Sequence, residues 1–335
     1  MIELDYRRAR SAREAVELVS GHPGARFLAG GSNLVDHLKL GVTSPPMLVD
    51  VSGLPLDAIE ERPGDDGSDG VLRIGANVRN SDMASHRVVR ARFPVVARAL
   101  LAGASGQIRN QATTAGNLLQ GTRCVYFQDV TTPCNKREPG SGCSALDGYG
   151  RYNAILGASA ACVATHPSDL AVALAAVDAV VVVLGREGER RIALEDLHRL
   201  PGDRPEVDTT LAPEDLVVAV ELPLGRAAEL STYVKVRDRA SYAFALVSVA
   251  ATLRLEGDRV GEVRLAWGGV AHRPWRARRA EAALAGAVLD EETLRSAVDE
   301  ELLAATVTED TAYKVAMVRN TTTMTLLRLA EEAAR

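Results

Sequence analysis

The chain has only four cysteines, Cys124, Cys134, Cys143 and Cys162, and all fall within one 39-residue window of a 335-residue sequence. Cysteines that act as small core hydrophobes scatter among Leu and Val. These mostly sit beside Arg123, Pro133, Asn135, Gly142 and Ser144. Most of the window lies in the least periodic stretch of the chain, Ala102 to Ser159, and a loop of that length inside a compact chain is usually functional. The clustering therefore points to a shared site, and three chemistries compete for it: two disulfides, a four-cysteine zinc site, or an iron-sulfur cluster. Disulfides need an oxidising compartment, and a chain of this size does not need staples. Structural zinc usually draws on paired C-x2-4-C knuckles, whereas the spacings here are C-x9-C, C-x8-C and C-x18-C, which match no short ferredoxin pattern either. Spacing alone leaves the choice open.

A composition that is 47% hydrophobic and 25% charged implies a real core, with length for two or three modest domains. The net charge of -5 leaves no electrostatic footprint for nucleic acid or an anionic membrane surface. The N-terminal MIELDYRRARSAREAVELVSG lacks the apolar run of a secretory signal. The expected location is thus cytoplasmic by the chain's own sequence, or periplasmic by co-export with a signal-bearing partner. Ala171 to Leu184 is too short to span a bilayer and contains Asp178, so it reads as a buried helix followed by a strand.

Ser11 and Glu14 have the spacing of a capping box ahead of a helix from about Ala12 to Val19. Ala25 to Ala29 reads as a strand and Gly30-Gly31 as a tight turn, with Ser32 capping a helix that carries Leu34, Val35 and Leu38. Met47 to Val51 and Val71 to Ile74 read as strands around the Gly- and Asp-rich loop Pro63 to Gly70. Asp82 to Leu101 reads as helical with an interruption near Pro94. From Leu216 four strand candidates follow, the last two joined at Glu256-Gly257-Asp258, and helices fill the chain beyond Pro274. Strands followed by helices suggest a separate α+β unit from about Arg226.

The stretch Arg26-Phe27-Leu28-Ala29-Gly30-Gly31-Ser32-Asn33-Leu34 presents backbone amides, unobstructed at two glycines, ahead of a helix start. Such a nest suits a pyrophosphate. A simple tight turn would explain it equally, and the GxGxxG spacing of a Rossmann site is absent. A second segment, Ile108 to Asn117, offers Thr, Gly and Asn for similar contacts.

Taken together, AGGSNL, IRNQATTAGN, HPSDL and YVKVRDRASYAFALVSVA closely resemble the FAD-binding subunit of the xanthine dehydrogenase and carbon monoxide dehydrogenase family, along nearly the whole chain. The resemblance implies an α+β fold. A vanillyl-alcohol-oxidase-like FAD-binding domain of two α/β subdomains would precede a C-terminal α+β domain with a small antiparallel sheet and helices. Its divisions here would be residues 1–225, with subdomains of about 1–57 and 58–225 and a Cys-rich insertion of about 118–162, and residues 226–335. It makes Arg26 to Leu34 the pyrophosphate turn, and Gly103, Thr113, Gly116 and Asn117 the second FAD loop. Asp169 becomes the acidic contact, Val217 a backbone contact and Lys235 the basic residue near the flavin. On residues alone, Asp169 would instead cap a helix and Lys235 would be a solvated strand-edge charge.

Two departures from the family pattern stand out. Ala115 replaces the first glycine of Thr-x-Gly-Gly-Asn, which restricts that position to negative φ. The segment between Asn117 and Asp169 is also extended, and it looks like the [4Fe-4S]-bearing insertion of bacterial aldehyde oxidoreductase flavin subunits; hydroxybenzoyl-CoA reductase is another member with such an insertion. The resemblance thus implies FAD plus one [4Fe-4S] cluster on Cys124, Cys134, Cys143 and Cys162. Gly142 and Gly148 would allow tight backbone, and Arg123, Lys136 and Arg137 would either offset cluster charge or lie on a solvated surface. His166 is read as a structural histidine or as a hydrogen-bonding group beside FAD.

No Ser-His-Asp, HExxH or paired-carboxylate signature stands in a persuasive context, in keeping with a cofactor-driven electron carrier. The implied partners are a large molybdenum-cofactor subunit, a small subunit with two [2Fe-2S] clusters, and an external acceptor such as ferredoxin, oxygen or NAD, the substrate being an aldehyde. Rival expectations are a self-sufficient flavin oxidase and a scaffold with structural zinc.

Overall fold

The computed structural model describes residues 4–64, 69–226 and 228–334, so residues 65–68 of the expected Pro63–Gly70 loop lie outside it. Three sheets follow one another along the chain. The first contains β1 (Asp5–Arg8), β2 (Arg26–Leu28) and β3 (Met47–Asp50) in the order β1-β3-β2 with parallel pairings. Parallel neighbours need crossovers, and the sequence spans these with helices Ala12–Gly21 and Leu34–Leu40. Ser11 caps the first helix, its Oγ accepting from Glu14 N at 3.1 Å. The return half of the expected box falls one residue early, on Arg10 N, which donates to Glu14 Oε2 at 2.7 Å. The second helix starts from Asn33 rather than Ser32, and makes no side-chain cap because Asn33 Oδ1 is drawn away to Gly121 N at 2.9 Å.

The second sheet is antiparallel and orders β4 (Ile59–Arg62), β5 (Val71–Gly75), β6 (Val180–Gly185), β7 (Gly188–Ala193) and β8 (Leu216–Pro223) as β4-β5-β8-β6-β7. Central β8 is buried from Leu216 to Leu222 and supplies both the N-terminal core, through Leu216 and Val218, and the larger middle core, through Val220 and Leu222. This accounts for its nearly unbroken apolar run. The helical stretch expected over Asp82 to Leu101 divides into Asn80–Ser85, Arg87–Arg92 and Pro94–Ala102. The break at Phe93, with φ -137° and ψ 56°, follows from the clash of a proline ring with helical geometry in the preceding residue. The apolar stretch after Ser168 forms helix Asp169–Ala176, a turn at Asp178 and then β6, as the sequence implied.

The third sheet orders β9 (Ser231–Val236), β10 (Val247–Glu256), β11 (Arg259–Gly268) and β12 (Trp275–Arg276) as β12-β11-β10-β9, all antiparallel, with Gly257 at φ +66° in the hairpin turn. Helices Arg278–Leu284, Glu291–Leu302 and Tyr313–Ala333 enclose its core around Trp267, Val318 and Leu326, each fully buried. Burying one such aliphatic side chain contributes about 1.5–3 kcal/mol. Ile155 and Leu156 of the Cys-rich insertion join this third core, both donating from their amides to Val270 O at 2.8 and 3.0 Å. Lys314, fully buried, adds bonds from Nζ to Asn153 O at 2.8 Å and Gly269 O at 2.7 Å. The insertion is thus fastened to the C-terminal unit, although it precedes that unit by some 70 residues in sequence. Among the described residues, no helix is long and apolar enough to cross a membrane.

Candidate functional site

The turn after β2 and the loop ending in helix Thr114–Leu118 meet face to face. Gly31 takes φ +74°, a conformation that favours glycine. Gly30 lies so close to the second loop that a Cβ there would stand 2.2 Å from Gln111 O, and Gln111 Nε2 donates to Gly30 O at 2.9 Å. Thr113 caps its helix through Oγ1, which accepts from Gly116 N at 3.2 Å. Ala115 lies inside that helix, so negative φ is what the position needs and the alanine is accommodated. Phe27 and the Ala29–Leu34 segment share one cavity with Thr113, Gly116 and Val217. Arg26 and Leu28 do not line it: Arg26 is exposed, and Leu28 Cδ1 lies 3.5 Å from where a Cβ on Gly31 would stand.

That cavity continues into a second one through Ser32, Asn33 and Gly116, which line both. Gly103, Asn117, Asp169 and Lys235 line the second cavity. Helix Asp169–Ala176 is capped by Ser168, whose Oγ accepts from Ala171 N at 3.0 Å, so the Asp169 carboxylate is free for other work. Tyr233 Oη donates to Asp169 Oδ1 at 2.5 Å and Lys235 Nζ to Asp169 Oδ2 at 2.7 Å. Lys235 sits on an edge strand, yet its side chain is only 3% exposed, so it is no solvated charge. Burial, together with the adjacent Asp169 carboxylate, holds the Tyr233 hydroxyl well above the ordinary tyrosine range, which keeps it a donor. Tyr233 escaped the sequence reading, although Tyr233 and Lys235 stand two apart on one face of a strand.

The four cysteines are free thiols, and all four line one small void. Cys134 and Cys143 face each other across a short antiparallel bridge, and Asn135 Nδ2 donates to Ala161 O, next to Cys162, at 3.0 Å. Gly142, beside Cys143 in sequence, takes φ +103°. At Gly148 a Cβ would lie 2.1 Å from Tyr126 Oη and 2.6 Å from Ser144 O. Burial pushes the Cys162 thiol up to about 11 and raises that of Cys124. Among the described residues, no three His, Cys, Asp or Glu side chains are arranged to hold a metal ion.

Of the basic residues singled out in the sequence, Arg137 is occupied with Tyr126 O at 2.9 Å and Phe127 O at 2.7 Å. Arg123 reaches Asp36 at 3.4 Å and lies 5.0 Å from the Phe244 ring centre. Lys136 lines the void. His166 stands 4.3 Å from His198, and burial, with His198 beside it, holds it neutral. A chamber between the insertion and the C-terminal unit joins the parts: Cys124 lines both it and the void, while Asp169 lines both it and the cleft.

Residues 2–225 match the family model described as FAD binding domain in molybdopterin dehydrogenase, and residues 232–333 match CO dehydrogenase flavoprotein C-terminal domain. The chain is 54% identical over 280 residues to the aldehyde oxidoreductase FAD-binding subunit PaoB of Escherichia coli (strain K12), covering 83% of this chain and 85% of that one. It is 28% identical to the glyceraldehyde dehydrogenase medium chain of Sulfolobus acidocaldarius, over 88% of this chain and 85% of that one. Among solved structures, carbon monoxide dehydrogenase from Hydrogenophaga pseudoflava superposes with TM-score 0.73 at 26% identity, covering 97% of each chain. Quinoline 2-oxidoreductase from Pseudomonas putida 86 does so with TM-score 0.75 at 22% identity, covering 100% of this chain and 99% of that one.

Proposed function

The chain belongs to the family of FAD binding domains in molybdopterin dehydrogenase, and from that premise we propose that it is the flavin subunit of a molybdenum-dependent aldehyde oxidoreductase, passing electrons through FAD to an external acceptor. The glycine turn, the second loop and the Asp169 cleft fit FAD. Their amides and small residues leave an open, continuous groove, narrowed where Gly30 meets Gln111. FAD supplies the redox chemistry there, and the chain's residues hold and orient it. Tyr233 and Lys235 fix both oxygens of Asp169, and the Lys235 ammonium offsets its charge.

The finer part of the reading is a [4Fe-4S] cluster on Cys124, Cys134, Cys143 and Cys162. It is supported by four free thiols around one void and by the chamber shared by Cys124 and Asp169. That shared chamber is the single observation that carries the proposal, because Cys124 and Asp169 both line it. A large molybdenum subunit and a small [2Fe-2S] subunit complete the assembly. The test is anaerobic. Aldehyde should bleach the flavin only when the molybdenum subunit is present, whereas bleaching of this chain alone would establish a self-sufficient oxidase.

A further inference from the structure

We infer that Lys136 sets the electrostatics of the cysteine void, its buried ammonium holding the reduction potential of an iron-sulfur group bound there above what four thiolates alone would give. This rests on the cluster reading. Lys136 lies in the loop between Cys134 and Cys143, its side chain is 3% exposed, and it carries the only charge among the non-cysteine residues lining the void. The other two basic residues near the cysteines, Arg123 and Arg137, line no part of it.

A buried ammonium ordinarily sheds its proton unless it is paired and hydrogen-bonded. Here Nζ donates to Pro205 O at 2.6 Å and to the Asp208 carboxylate. Asp208 also faces His272 Nε2 at 3.4 Å, and His272 Nδ1 bonds Ala164 O at 3.0 Å. The two ends of the ion pair differ in burial, however. The Asp208 side chain is 50% exposed, so water screens the carboxylate on one side, while the ammonium acts on the void through dry protein. A cluster that gains an electron becomes more negative, and a fixed cation beside it favours that state. The half-solvated carboxylate opposes the effect only partly.

Removing the ammonium should therefore lower the potential while a charge-conserving replacement keeps it, which a purely structural clamp would not do. The experiment is a redox titration of the cluster signal, followed by electron paramagnetic resonance, on the full chain in its complex, with iron and FAD content measured alongside. Lys136→Met should lower the cluster potential and Lys136→Arg should leave it near wild type. An unchanged or raised potential in an iron-replete Lys136→Met protein overturns the inference, as does a fall in Lys136→Arg equal to that in Lys136→Met. If Lys136→Met loses its iron, Lys136→Gln takes its place: a lowered potential supports the inference, and an unchanged or raised one overturns it. A wild-type protein with no iron-sulfur signal would instead sink the underlying cluster reading.

Discussion

Replacing Gly30 with alanine places a methyl group where the two loops of the flavin groove touch. The added Cβ would lie 2.2 Å from Gln111 O, 3.1 Å from Gln111 C and 3.3 Å from Ala112 Cα, all of them backbone atoms. Ordinary carbon-oxygen contact lies at roughly 3.4 Å, so the loops must part by about 1 Å. The Gln111 Nε2 to Gly30 O bond at 2.9 Å, and the bridge pairing Arg79 with Thr113, resist that movement. Overpacking of this kind costs about 1–3 kcal/mol. Because the strain falls on the pairing of the two loops, it should appear in FAD affinity, as a rise in Kd of about 5- to 150-fold at 1.4 kcal/mol per decade. Gly106→Ala is the matched control, since nothing lies within 4 Å of a Cβ there and a helical position favours alanine. The assay is titration of deflavinated protein with FAD, followed by quenching of flavin fluorescence, with urea unfolding in parallel. Wild-type affinity in Gly30→Ala, or an equal loss in Gly106→Ala, would refute this placement of the groove.

Tyr233→Phe removes the donor to Asp169 Oδ1 while Lys235 still holds Oδ2. A hydrogen bond to a charged group contributes about 1.5–3 kcal/mol to stability, so the variant should unfold at lower urea and FAD should bind more weakly in the same titration; no change in affinity would mean that Tyr233 does not orient the carboxylate. Burial, with Arg151 nearby, pushes Lys314 down to about 7, whereas an unfolded lysine titrates near ~10.4. Between those values the unfolded chain holds the extra proton, so the Lys314 contribution to stability rises from about pH 7 to about pH 10. The urea midpoint of wild type relative to Lys314→Met should move in favour of wild type across that window, and a pH-independent difference would contradict the assignment. Cys134→Ser should lose cluster iron while retaining FAD, because Cys134 lines the void but neither cavity of the groove; joint loss of both would tie the two sites into one folding unit.

Local chemistry made much of this fold legible. Ser11 caps its helix, Pro94 breaks one, Gly257 turns a hairpin, and the run after Ser168 divides into helix and strand as periodicity implies. Strand β4, with the charged sequence IEER on a sheet edge, gave no apolar alternation to read. The helix expected to be capped by Ser32 starts at Asn33 with no side-chain cap, because the Asn33 oxygen accepts from Gly121 N, 88 residues away. The candidate site divides the same way. The clustering of the cysteines was countable, but their convergence on one void depends on the Cys134–Cys143 bridge, on the bond from Asn135 to Ala161 O and on the anchoring of Ile155 and Leu156 in the C-terminal core. The roles open to Lys136, a charge at the void or a solvated surface lysine, were separated only by Asp208, 72 residues downstream.

The most direct test is the cofactor content of the purified, anaerobically handled protein, read from flavin absorbance together with iron, acid-labile sulfide and zinc analysis. One FAD with about four irons and about four sulfides per chain is the expected result. Protein that carries no iron but binds zinc stoichiometrically would contradict the cluster, and protein that retains no added FAD would contradict the groove.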